Sequence, residues 1–209
     1  MLNGYRQEQK PEPYEEIGNT AFITFDAFTS ATKDYYANSP LDCSFADEVG
    51  LISYAHAMIN RENSPIENVV IDLATNTGGH MDGGIFLVSW ILGNALMHIE
   101  DPIRGAQGTY MYRADVNLDD AFDEKDVLTG KNVYLLTSPI TFSCANYVAN
   151  ALKESAQVTI IGTTSGGGTC AVYMASTASG DIIAMSSSLR FSSYKNGSYY
   201  SLDEGIAPD

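Results

Sequence analysis

Two apolar runs each end in a tight turn and then open a helix, and that pairing constrains the fold more than any other feature. Val69-Val70-Ile71-Asp72-Leu73 leads into Asn76-Thr77-Gly78-Gly79, and residues 81–96 follow as a mostly apolar helix. Val133-Tyr134-Leu135-Leu136 leads into the turn 137–143, and residues 143–154 follow as a helix with Ala145, Val148, Ala149 and Leu152 on one face. Strand, turn, helix, strand is the order of a parallel sheet with right-handed crossovers. Continuous apolar strands fit a sheet covered on both faces. Val158-Thr159-Ile160-Ile161 adds a third such strand and Ala21 to Phe25 another. Val49, Ile52, Ala55 and Ile59 recur at helical spacing. Residues 172–175 and 182–185 read as β around a turn at Ser179-Gly180. The reading is an α/β domain over residues 18–209 with a β-rich C-terminal part. A leader or linker occupies 1–17, and an acidic excursion occupies 101–131.

A chain of 209 residues is long enough to bury a substantial core. Its 11 Lys and Arg against 26 Asp and Glu leave a net charge of −15. That balance argues against nucleic acid, which needs a basic stripe, and against a polybasic membrane contact. The most apolar stretch, residues 85–97, is interrupted by Gly93 and Asn94 and is too short for a transmembrane span. The first 18 residues are polar and lack the apolar core of a signal peptide. Cys43, Cys144 and Cys170 are too few for a disulfide framework and are not spaced as a zinc site.

In open α/β sheets, sites lie beyond the carboxyl ends of the strands. Ser143 opens a helix there, in the partial positive charge of its N-terminus. It reads as a plain N-cap or as a nucleophile, and spacing alone favours the cap. Gly78-Gly79 reads as a tight turn or as a source of unobstructed N–H donors for an oxyanion, a weak signal alone.

Four blocks in order carry a family resemblance. Residues 69–79 are similar to an apolar strand ending in Asp-Leu-Arg-x-Asn-x-Gly-Gly, with Ala74 in place of the Arg. Leu136-Thr137-Ser138-Pro139-Ile140-Thr141-Phe142-Ser143-Cys144-Ala145-Asn146 resembles a nucleophile turn. Residues 160–168 resemble the next strand and its Gly-rich turn, and Gly205-Ile206-Ala207-Pro208-Asp209 resembles a closing Gly-Ile/Val-x-Pro-Asp. Together they resemble the core of the C-terminal-processing-protease and tricorn-core serine peptidases. The resemblance implies a crotonase-like or ClpP-like core with a parallel sheet flanked by helices. It implies peptide or protein substrates, an acyl-enzyme on Ser143, and an oxyanion held by the N–H groups of Gly79 (or Gly78) and Cys144. It implies no cofactor for catalysis and a location outside the cytoplasm.

The base departs from that pattern. One branch of the family uses a lysine where this chain has Gly168. Lys153 lies ten residues along the same helix, about 15 Å from Ser143 by helical rise. The other branch uses an upstream histidine oriented by a late Glu; Asp203 and Glu204 stand near that place, with the register differing by a residue or two, and Glu204 is the candidate. No histidine precedes His56 in this chain. Two readings stay open. Either the chain is a fragment whose histidine and peptide-binding domain lie upstream, or His80, directly after the glycine pair, serves. His56 on an apolar helix face reads as a core residue and His98 as a partner of a helix dipole. A catalytically silent peptide-binding module is the runner-up. A crotonase-type acyl-CoA enzyme shares the fold, but no basic pocket for its phosphates is evident.

The excursion holds a second pattern. Asp115, Asn117, Asp119, Asp123 and Asp126 stand at positions 1, 3, 5, 9 and 12 of a loop that resembles a dockerin or EF-hand calcium loop. A solvated acidic loop is the alternative. Cys144 and Cys170 flank turns that neighbour one another in the family fold, and read either as a disulfide or as two small buried thiols.

Overall fold

Asn68–Asp72 alternates half-buried and buried, with Val69 and Ile71 fully enclosed. Such a strand has one dry face, and it lies at the centre of a five-stranded sheet. The structure is a computed structural model that describes residues 11–29 and 47–209. In chain order the elements are β1 (Tyr14–Ile17), β2 (Thr20–Thr24), α1 (Glu48–Ile59), β3 (Asn68–Asp72), α2 (Met81–Leu92), β4 (Ala95–Asp101), β5 (Ala106–Tyr112), a 3-10 turn (Glu124–Asp126), β6 (Asn132–Thr137), α3 (Cys144–Lys153), β7 (Val158–Gly162), β8 (Cys170–Ser176), β9 (Ile182–Lys195) and β10 (Ser198–Ser201).

The first sheet has the order β1-β2-β3-β6-β7. β2, β3, β6 and β7 are parallel, and β1 is antiparallel to β2. Ala21, Ile23, Val69, Ile71, Val133, Leu135, Val158 and Ile160 fill one face. On the opposite face Phe22, Val70, Tyr134 and Leu136 are only half-buried and Ile161 is exposed. The expectation of two covered faces is corrected accordingly: alternation, not a continuous dry run, is what these strands show. All three α-helices of the described residues carry core side chains, with Trp90, Tyr147 and Leu152 among the enclosed ones. None of these helices is long and apolar enough to cross a membrane.

The second sheet is antiparallel, β10-β9-β4-β5, with β8 also on β9. Three boundaries here differ from the sequence reading. The apolar helix ends at Leu92, not at 96, because Gly93 turns left-handed (φ 78°) and its N–H returns to Ser89 O. Ala95–Asp101 then forms β4, which places His98 in mid-strand rather than at a helix end. Its Nδ1 sits 2.8 Å from Thr109 Oγ1, and its ring packs against Tyr194 and Tyr199. The acidic excursion contains β5, paired along its whole length with β4. The leader ends earlier than 17: Tyr14–Ile17 is a strand, tied down where Arg61 grips both carboxylate oxygens of Glu16 at 2.6 and 2.7 Å. Cys43 and residues 1–10 lie outside the described residues.

Candidate active site

Adjacent parallel strands deliver adjacent turns. β3 and β6 are neighbours in register, so the segments leaving their carboxyl ends run side by side. Thr141, fully buried, locks them: its hydroxyl donates to Leu73 O at 2.7 Å and accepts from Ser138 N–H at 2.9 Å. Ser138 Oγ donates to Ala74 O, and Phe142 N–H reaches Asn76 O at 3.1 Å.

The glycine turn is braced by a short strap, residues 25–29. Phe28 N–H donates to Gly78 O at 2.8 Å and Phe28 O accepts from His80 N–H at 2.9 Å. Asn76, fully buried, donates through Nδ2 to Phe25 O, and its Oδ1 accepts the Gly78 N–H at 2.8 Å. Among the described residues the N–H of Gly79 has no hydrogen-bond partner, and neither has the N–H of Cys144. Gly78 is therefore excluded as a free donor by its own neighbour. A Cβ on Gly78 would lie 2.6 Å from both Phe142 O and Ser143 Cβ and 3.0 Å from Cys144 N, so only glycine admits this approach.

Ser143 stands at φ 55° and ψ −117°, a positive-φ conformation rare for a residue with a side chain. Its N–H is held by Gly167 O at 2.9 Å and its carbonyl accepts from Tyr147 N–H at 3.0 Å. It occupies the N-cap position of α3, yet its side chain makes no cap hydrogen bond. It differs in this from a plain cap serine, which folds its Oγ back onto the helix. This one leaves its hydroxyl uncommitted at the positive end of α3.

His80 is exposed at the N-cap of α2 and no described side chain hydrogen-bonds Ser143 Oγ. The His80 carbonyl accepts the Cys144 thiol at 3.3 Å. Cys144 is buried, and that burial pushes its thiol pKa far up. Cys144 and Cys170 are both free thiols. Lys153 is ion-paired with Asp209 at the far end of α3. Glu204 is exposed, and the neighbouring acid makes the contact instead: Asp203 Oδ1 accepts from Thr169 N–H at 3.1 Å and Thr169 Oγ1 at 2.8 Å. The Thr169 hydroxyl holds the Asp203 carboxyl below its usual range. His56 is a core residue whose Nδ1 accepts Trp90 Nε1–H at 2.9 Å; burial lowers its pKa.

Two residues escaped the sequence reading as site elements. Asn146, fully buried on α3, accepts Ser165 Oγ–H at 2.6 Å and donates to Leu202 O at 3.0 Å, and Ser165 Oγ accepts Ile206 N–H at 2.7 Å. This knot fastens the closing segment to the Gly-rich turn. An amide on an otherwise apolar helix face was the available signal.

The acidic loop turns inward. Asp126 is buried, and its oxygens accept the N–H groups of Val116, Asn117 and Asp123. Asp115 accepts from Asp119 and Asp120, and Lys125 lies 3.9 Å from Asp119 and 3.5 Å from Asp123. Among the described residues no group of three or more His, Cys, Asp or Glu side chains is placed to hold a metal ion.

Fold and turns together define an α/β protein with an unencumbered serine beside a glycine pair. The family model for Peptidase family S41 matches residues 44–209, and the chain belongs to that family. Among solved structures it is similar to a lipoprotein from Streptococcus agalactiae (19% identity, TM-score 0.61, 94% of this chain and 63% of that one). It is also similar to the photosystem II D1 C-terminal processing protease (17%, 0.60, 91% and 41%). The tricorn protease matches more weakly (13%, 0.53, 99% and 16%). The chain thus spans 63% of the lipoprotein and less of the other two. No curated protein matches it.

Proposed function

We propose that this chain is the core of a serine peptidase that cleaves peptide or protein substrates through an acyl-enzyme on Ser143. The observation that carries it is the positive-φ Ser143, its hydroxyl uncapped, beside the unpartnered N–H groups of Gly79 and Cys144. In the proposed reaction Ser143 Oγ attacks the scissile carbonyl carbon and gives up its proton to a base. The carbonyl π pair moves onto oxygen, and that oxyanion accepts from the Gly79 and Cys144 N–H groups. Collapse re-forms the carbonyl and expels the amine, which takes the proton from the base. Water then repeats the attack on the ester and frees Ser143. A preformed donor pair costs no reorganisation during reaction, and losing one such donor typically slows turnover by about 10²–10³.

The base in this proposal comes from outside the described residues, delivered with a peptide-binding domain as the family resemblance implies. His80 is the alternative within the chain, since it follows the oxyanion turn directly. The uncommitted Ser143 Oγ also supports the second reading, a silent peptide-binding module. Peptidase assay of the full-length protein separates them: hydrolysis lost in Ser143→Ala supports the enzyme, and peptide binding without hydrolysis supports the module. A location outside the cytoplasm belongs to the same proposal; the likeness to a lipoprotein supports it.

Calcium at residues 115–126 is a separate proposal. It draws support from the bend that gathers Asp115, Asn117 and Asp119, with Asn117 Nδ2 3.1 Å from Asp119 Oδ2. An ion there has to displace Lys125 from Asp119 and Asp123.

A further inference from the structure

A buried carboxyl group lies behind the glycine turn, and the reaction proposed above makes no use of it. Glu48 is 3% exposed at the first position of α1. One oxygen, Oε2, accepts Thr29 N–H at 2.6 Å and approaches Thr29 Oγ1 at 3.3 Å. The other, Oε1, has no hydrogen-bond partner among the described residues. The carboxyl sits against Gly83 of α2, where a Cβ would fall 1.9 Å from Oε1 and 3.0 Å from the Phe28 ring. Leaving a buried carboxyl oxygen unpaired is destabilising, so packing alone gives no reason for an acid at this position.

The contacts give one. Thr29 follows Phe28, which holds Gly78 O and His80 N–H on either side of Gly79. A Cβ on Gly79 would lie 2.0 Å from Phe28 O, so strap and turn are in direct backbone contact. The strap's near end is secured by Asn76 on Phe25 O and by Thr77 N–H on Asp26 O at 3.0 Å. On the other side of Phe28 the strap is secured by Glu48 on the Thr29 N–H. Gly79 N–H can stay fixed without a partner of its own only if the strap beside it does not move.

We propose that Glu48 is a positioning residue of the oxyanion turn, holding the residue 25–29 strap so that Gly79 presents its N–H toward Ser143. This rests on the peptidase reading above. Burial raises the Glu48 pKa to about 7. The titratable groups that act on it are Asp47 at the N-cap of α1 and the Cys144 thiol on α3, which Asp82 of α2 also faces, and no cation contributes among the described residues. Ionised, Glu48 is the stronger acceptor for Thr29 N–H. The hold on the strap therefore tightens as pH rises through 7.

Two variants of similar shape test this. Glu48→Met keeps the volume and removes the acceptor, which relieves the unpaired buried oxygen and leaves the melting temperature equal or higher. Glu48→Gln keeps a neutral acceptor. In full-length protein, labelling by a fluorophosphonate should slow about tenfold in Glu48→Met, the order that one hydrogen bond to a charged group supports. Glu48→Gln should stay within about threefold of the unaltered protein and lose any pH dependence between 6 and 8 that belongs to Glu48. Hydrogen exchange gives a readout that does not depend on activity: in Glu48→Met the amides of residues 25–29 and 76–83 should exchange faster while the core of β3 and β6 is unchanged. Unaltered exchange in that segment overturns the proposal, and so does acceleration spread over the whole molecule. If exchange responds as expected but no variant is labelled, the peptidase reading has failed and the role of Glu48 in fixing the turn stands.

Discussion

Gly78 and Ser143, 65 positions apart in the chain, are in van der Waals contact, and a single added methyl on Gly78 would fall 2.6 Å from Ser143 Cβ. The contact exists because β3 and β6 are parallel neighbours that end at the same level. Gly78→Ala must therefore push the two turns apart. Overpacking with positive-φ strain costs about 1–3 kcal/mol. Thermal unfolding should show that loss, and covalent labelling of Ser143 should fall with it.

Ser143 holds a backbone conformation that favours glycine. Ser143→Gly should be more stable than Ser143→Ala by about the 1 kcal/mol that relief of such a conformation yields, although both lack the hydroxyl. Equal melting temperatures would mean that the φ of 55° costs nothing.

The two central strands and their turns were legible because apolar runs ending in glycine or Ser-Pro punctuate a chain strongly. The end of α2 was not. Residues 94–101 continue an apolar pattern beyond Gly93, and periodicity cannot separate a short apolar strand from a helix extension. β5 was hidden because Ala106–Tyr112 is mostly exposed and owes its form to pairing with β4. The state of Ser143 was not legible in the sequence, since a cap serine and a nucleophile occupy the same position; its positive φ and uncapped hydroxyl appear only in the fold. That Asp203, and not Glu204, turns inward was hidden because its partner, Thr169, lies 34 residues earlier in the chain.

Acid stability should carry the signature of Asp203. Its folded pKa lies below the unfolded one, through the Thr169 hydroxyl. The contribution is complete above about pH 4 and is lost as pH falls through the folded value. Asp203→Asn should flatten that limb of a melting-temperature profile; an unchanged limb would remove the contact from the account.

His56 acts at higher pH. Burial depresses its folded pKa, so the unfolded chain takes up the proton first and stability falls as pH drops below about 6.5. Glu48, with its raised value, has the opposite sign: its ionisation removes stability as pH rises toward 7. Comparing the unaltered protein with His56→Gln, which keeps an acceptor for Trp90, isolates the first effect as a loss of slope below about pH 6.5.

For the acidic loop, a chelator should lower the melting temperature and added calcium should restore it, since an ion that binds only the folded state stabilises it by mass action. Lys125→Ala should strengthen the response by removing the competing cation. A melting temperature indifferent to chelator and calcium alike would reduce residues 115–126 to a loop held by its own backbone.

The most direct test is to treat the full-length protein with a fluorophosphonate and map the adduct by mass spectrometry. A nucleophilic serine held against the Gly79 and Cys144 amides predicts one adduct, on Ser143, absent from Ser143→Ala. No adduct, or an adduct that persists in Ser143→Ala, would contradict it.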